Sequence, residues 1–169
     1  MQKADSPRGK WRNVVFPLTA LLVVAADQLS KRWIRLNLDP GESVPETGLF
    51  QLTHVQNTGF SFGLFQGQSF SLTIVAFTGI AVILFVVLFI SRRFPFLDNR
   101  LGKTALGLVL GGAVGNLIDR LRSGYVTDFI DIGIWPSFNV ADSAVTVGVI
   151  MLAYSLLSLA RAQNTDSPA

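Results

Sequence analysis

The run from Phe70 to Ile90 holds no charged residue, and its length matches the ~30 Å hydrocarbon core of a bilayer. Lipid offers no water to backbone N–H and C=O groups, so such a segment must satisfy its own hydrogen bonds as a helix. Three further apolar segments accompany it, and the four spans are placed at about 13–34, 70–91, 101–120 and 140–160. The second and fourth are the clearest spans, whereas the first and third carry polar residues toward one end. Half of the chain is apolar and only 15% is charged, a composition that suits a polytopic membrane protein. The expectation is one all-α membrane domain of four transmembrane helices.

The basic residues orient the spans. Lys3, Arg8, Lys10 and Arg12 precede the first span; Arg92, Arg93, Arg100 and Lys103 separate the second from the third; Arg161 follows the fourth. These segments are expected to be cytoplasmic, together with both termini. The other two connections, about 37–68 and 121–139, hold Asp39, Glu42, Glu46, Asp128 and Asp131, and Asp27, Asp119 and Asp142 lie at the adjoining span ends. They are expected outside, which gathers the carboxylates at the outer leaflet. The basic start, short apolar core and Val24-Ala25-Ala26 also fit a cleavable leader. Three further spans need an insertion partner, however, and cleavage would strand Asp27 to Lys31 at a new terminus. The segment is therefore read as an anchor.

The first outer connection is too long for a simple turn. Pro40-Gly41 and Thr47-Gly48 punctuate it, and the alternation from Gly48 to Val55 predicts short strands. A small β-rich flap on the outer surface follows. Ser61 to Phe65 is aromatic and apolar, suited to the membrane interface. The tails, Met1 to Lys10 and Gln163 to Ala169, are expected to be disordered. The sequence contains no internal repeat.

Composition removes several chemistries. With no cysteine there is no disulfide, thiolate metal site or cysteine nucleophile. His54 is the only histidine, which excludes an HExxH zinc site and a Ser-His-Asp triad. The net charge of +3 is spread in short clusters beside apolar runs, so nucleic acid is not an expected partner. No metal and no cofactor are expected.

What remains is polar and concentrated. Asp27 and Lys31 share a helix face and can pair, either as an interfacial ion pair or in support of a site. Asn57-Thr58-Gly59 reads as a turn, or as an amide that holds an extended peptide. Gly107, Gly111 and Gly115 form a smooth ridge for close helix packing. Asn116, Asp119 and Arg120 follow on one face at the outer end. Asp131 reads as a solvated loop residue. Asn139 reads as the N-cap of the fourth span, while Asp142, a turn deeper, is not needed for capping.

A charged group at bilayer depth costs at least ~2.5–3.5 kcal/mol, so repeated ones point to chemistry or transport. Asp128 and Asp142 are the pair of interest. Two converging carboxylates at a water–lipid boundary tend to hold one proton between them. The ionised partner can activate water while the protonated one donates to a carbonyl oxygen or a departing amine. That is peptide hydrolysis without metal, serine or cysteine. A proton-coupled transporter is the rival, but it predicts carboxylates spread through the membrane depth. A lipid-binding assembly factor would need the asparagines and arginine yet tolerate loss of either aspartate.

Several segments in order resemble bacterial lipoprotein signal peptidase (signal peptidase II): Asp27-Gln28-Leu29-Ser30-Lys31, Asn57-Thr58-Gly59-Phe60-Ser61-Phe62, GGAVGNLIDR from Gly111 to Arg120, Gly124 to Phe129, and Phe138-Asn139-Val140-Ala141-Asp142. The resemblance implies four transmembrane helices with an extracytoplasmic β-cradle, in the bacterial cytoplasmic (inner) membrane. It implies an aspartic endopeptidase that cuts prolipoproteins just before a diacylglyceryl-modified cysteine. Asp128 and Asp142 become the catalytic pair. Asn57, Gly59, Asn116, Arg120 and Asn139 become substrate-binding residues, with Asp27, Lys31 and Asp119 in support. Prolipoprotein signal peptides and membrane lipids are the expected partners of a monomer. One departure is visible: Phe60 and Ser61 stand where the family usually has small residues before the last phenylalanine.

Overall fold

The structure is a computed structural model and describes residues 7–59 and 69–165. The segment Ser61 to Phe65, the Phe60–Ser61 departure and the outermost tail residues lie outside the described residues. The elements are α1 (Pro7–Asn37), β1 (Ser43–Val44), β2 (Gln51–Asn57), α2 (Ser69–Phe85), a short α3 (Pro95–Asp98), α4 (Arg100–Ser123), β3 (Val126–Asp131) and α5 (Val140–Thr165). Four of these helices, counting α2 with the π-helical turn Val86–Ile90 that continues it, are long and apolar enough to cross a membrane. The chain is a multi-pass membrane protein.

Two expectations about the tails fail. Residues 7–10 and 163–165 were expected to be disordered, yet they are helical. Once a span has nucleated a helix, each added residue gains a backbone hydrogen bond without a new nucleation step. Pro7 also suits a first helical position, where its missing N–H has no partner to lose.

Sequence explains where α4 begins and ends. The Asn99 side chain accepts a hydrogen bond from Gly102 N at 2.7 Å, an N-cap. Gly124 closes the helix at φ 77° and donates its N–H to Arg120 O, a conformation that glycine adopts without Cβ strain. Between these ends α4 is the central helix, packed on α1, α2 and α5. The glycine ridge makes the close approach possible: a Cβ on Gly111 would stand 2.7 Å from Ala20 O, and one on Gly107 would stand 2.7 Å from Phe16 O. Gly112, off that ridge, sits against the carbonyl of Ala141 in α5.

The flap is a three-stranded antiparallel sheet in the order β1-β2-β3. Gln51 pairs with Asp131 and Asn57 with Val126, with an irregularity between Leu52 and Val55. Ile34 and Leu38 at the end of α1 pack against Phe129 of β3, with Leu52, Ile130 and Val140 around them. This small core fixes the sheet on the end of the bundle. An isolated bridge between Ile130 and Phe138 then returns the chain to the start of α5.

Candidate active site

Asn139 and Asp142 cap α5 reciprocally. Asp142 N donates to Asn139 Oδ1 at 2.9 Å, and Asn139 N donates to Asp142 Oδ2 at 3.3 Å. The expectation that Asp142 is not needed for capping is therefore corrected. In a capping box the side chain three residues into the helix turns back to the cap's own N–H. That bond fixes one oxygen of Asp142 at the mouth of the bundle.

The other carboxylate arrives from the sheet. Antiparallel pairing places β2 beside β3, and Asn57 Nδ2 donates to Asp128 Oδ2 at 2.8 Å. Gly59 N in turn donates to Asn57 Oδ1 at 2.9 Å, fixing which way that amide faces. Asn139 Nδ2 donates to Asp128 Oδ1 at 2.7 Å. Asn139 thus links both carboxylates. Asn116, on α4, completes the set: its Nδ2 donates to Asp142 Oδ1 at 2.7 Å, and its Oδ1 accepts from Asn139 Nδ2 at 3.2 Å.

Behind this layer lies a dry ionic one. Lys31 Nζ stands 2.9 Å from Asp27 Oδ2 and 3.2 Å from Asp119 Oδ2, and none of the three side chains is more than 2% exposed. Buried charges persist only when paired and hydrogen-bonded, and each here is. Asp27 Oδ1 accepts from Ala141 N at 3.0 Å, tying α1 to the first turn of α5. Asp119 accepts from Thr127 N at 3.1 Å and pairs with Arg35 at 3.5 Å. Gln28 donates to Asp27, Asp119 and the Gly115 carbonyl.

Both aspartates, Asn57, Gly59, Asn116 and Arg120 line one cavity of about 510 Å³. Its remaining wall is apolar apart from Thr146, and one side of it is a face of α2 at Leu72, Ala76, Gly79 and Ile83. Of the described residues, none hydrogen-bonds or ion-pairs with the Arg120 side chain, which leaves its guanidinium available to the cavity. Asp128 is 2% exposed. Burial first, and then the Asp142 charge, push its carboxyl up to about 7, against the opposing pull of the Asn57 and Asn139 hydrogen bonds and of Lys31. A carboxyl there can hold or release a proton near neutrality.

The sequence-derived residues therefore converge. Asp131 stays apart, bonding Gly133 N at 2.7 Å in its own turn. His54 is buried under the sheet, with Nδ1 2.9 Å from Leu38 O. Arg35 and Thr127 escaped the sequence reading, although Asp27, Lys31 and Arg35 recur every four residues on one face. Among the described residues no group of three His, Cys, Asp or Glu is placed to hold a metal.

Comparison with known proteins bears on this site. The model of the family described as signal peptidase (SPase) II matches residues 19–158. A lipoprotein signal peptidase of Dehalococcoides mccartyi (strain 195) is 48% identical over 147 residues, covering 87% of this chain and 91% of that protein. One from Moorella thermoacetica is 47% identical over 152 residues, covering 89% and 98%. Among solved structures, a bacterial membrane enzyme is similar at TM-score 0.74 and 28% identity, covering 90% of this chain and 91% of that one. A second, also a bacterial membrane enzyme, gives 0.71 and 31%, covering 83% and 90%.

Proposed function

The chain belongs to the signal peptidase (SPase) II family, and from that premise we propose that Asp128 and Asp142 are the dyad of an aspartic endopeptidase. The protein is a peptidase that removes signal peptides from prolipoproteins. The observation that carries the dyad is the single cavity onto which the buried Asp128 and the half-buried Asp142 both open, held by the same Asn139.

The chemistry follows from one proton shared by two carboxylates. The ionised member takes a proton from a water whose oxygen attacks the scissile carbonyl carbon. The protonated member donates to the carbonyl oxygen, giving a neutral tetrahedral diol. As that diol collapses, one hydroxyl gives its proton to the ionised carboxylate, the C–N bond breaks and the other carboxyl's proton passes to the departing amine, so the acid and base have exchanged roles. Asn57, Asn116 and Asn139 hold the carboxylates in register. Arg120 and the Gly59 backbone take the substrate.

The bond cut is the one before a diacylglyceryl-modified cysteine. Its lipid keeps that cysteine at the membrane surface, and the dyad lies at the matching depth. Asp27 to Arg35, Asn116 to Arg120 and Asn139 to Asp142 all sit at the bundle end opposite Arg93, Arg100, Lys103 and Arg161. By the positive-inside rule the site faces outward and both termini are cytoplasmic, in the bacterial inner membrane. The apolar α2 wall receives the signal helix from the lipid, and the protein works as a monomer without a cofactor.

The test is cleavage of a lipidated prolipoprotein by purified protein in detergent with a chelator present. Asp128→Asn and Asp142→Asn should each abolish cleavage while thermal unfolding stays cooperative. Full cleavage by either variant would sink the dyad.

A further inference from the structure

We infer that Lys31, which does not line the cavity, is a positioning residue for the reaction: through Asn116 it orients Asp142, and its buried charge sets the pH range in which the pair holds one proton. The inference rests on the dyad assignment above.

The Lys31 ammonium has three N–H groups to donate and three acceptors around it. Two are the carboxylates of Asp27 and Asp119, at 2.9 and 3.2 Å. The third is Asn116 Oδ1 at 2.8 Å, its shortest contact. Charge balance alone does not ask for an amide there. With Asn139 Nδ2 also bonded to it, Asn116 Oδ1 has both lone pairs filled. The flipped amide would set an NH₂ group against the ammonium and the Asn139 donor. One orientation survives, and in it Nδ2 must point at Asp142 Oδ1, 2.7 Å away. Lys31 thus reaches a dyad oxygen through two hydrogen bonds.

The charged groups around the pair lie on α1, α4, β3 and α5. They are Asp27, Lys31 and Arg35 on α1, Asp119 and Arg120 on α4, Asp128 on β3 and Asp142 on α5; α2 carries none, and His54 of β2 is turned to the Leu38 carbonyl instead. Of the three cations, only Lys31 is wholly excluded from solvent, so water and salt screen its charge least. That charge acts on Asp128 in the direction of ionisation, against burial and the Asp142 carboxylate. Loss of Lys31 should leave both steps of the pair's titration at higher pH.

The experiment compares pH profiles of kcat and kcat/KM. K31M leaves two buried carboxylates short of a cation and can fail to fold. The decisive variant is therefore D27N/K31M, which removes one charge of each sign and leaves Asp119 with Arg35. We expect kcat to fall at least tenfold with little change in KM; measured against D27N, which shares the loss of the Asp27 charge, both limbs of the D27N/K31M kcat profile should move up by about 0.5–1 unit. Adding N116A should lower kcat by less than the product of the separate effects, because the same orientation is already lost. Limbs that stay in place, or fully multiplicative effects, would overturn the inference, even with kcat reduced. The dyad is tested apart from it: active D128N would refute the dyad, whereas inactive D128N with unshifted D27N/K31M limbs would refute only the role of Lys31.

Discussion

Asn139 donates its side-chain amide to Asp128 Oδ1 at 2.7 Å. The backbone N–H of that same Asn139 donates to Asp142, so a helix cap also aligns the two carboxylates. Asn139→Ala should therefore separate stability from activity. Loss of the cap costs about 1 kcal/mol, while misplacing both carboxylates should lower kcat by about 10²-fold or more. Thermal unfolding and cleavage kinetics on one preparation check this.

Asp128 makes stability depend on pH. Its carboxyl is raised from 3.8 to about 7 in the folded protein. For a carboxyl raised on folding, the stabilising contribution is complete below the unfolded value and is lost as pH rises through the folded one. The window runs from about 4 to 7. Asp128→Asn removes the ionisation, so its Tm should exceed that of the parent at pH 8, and the gap should close toward pH 4. A gap independent of pH would contradict the buried, raised carboxyl.

Two glycines should respond in opposite ways. A Cβ on Gly112 would collide with the Ala141 carbonyl and stand 2.7 Å from Val145 Cγ2. Gly112→Ala should force α4 and α5 apart and destabilise the protein by about 1–3 kcal/mol. Gly79 lines the cavity, with nothing within 4 Å of its added Cβ. Gly79→Leu should keep the parental Tm but, if the cavity takes the signal helix as proposed, lower kcat/KM at least tenfold by filling it. Thermal shift and steady-state kinetics distinguish the two.

Asp131 closes a turn at Gly133 and contributes nothing to the cavity. Asp131→Asn should leave cleavage unchanged and shift stability by less than ~0.5 kcal/mol. An inactive variant would mean that the loop carboxylate has been misassigned.

Much of this was legible because lipid narrows what a sequence can do. An uncharged run such as Phe70 to Ile90 has little choice but a helix, and the spacing of Asp27 with Lys31 puts them on one face whatever surrounds them. The strand around Gln51 to Asn57 was readable from alternation and turn residues. Less legible were the capping role of Asp142 and the place of Arg35. The first depends on how the chain enters α5, and the second on which neighbour a long side chain meets.

By itself the sequence determined the four spans, the concentration of carboxylates beside them and the chemistries closed to a chain with one histidine and no cysteine. Those are local properties of hydrophobicity, charge and residue type. Only the tertiary structure decided that Asp128 and Asp142 open on one cavity. Fourteen positions of chain permit many separations, and the one adopted is fixed by the sheet register, the Ile34–Phe129 core and the Asn139 bridge. It also decided what the asparagines do. An amide in a sequence can bind substrate or hold a neighbour, and its hydrogen bonds are set only when the helices have packed.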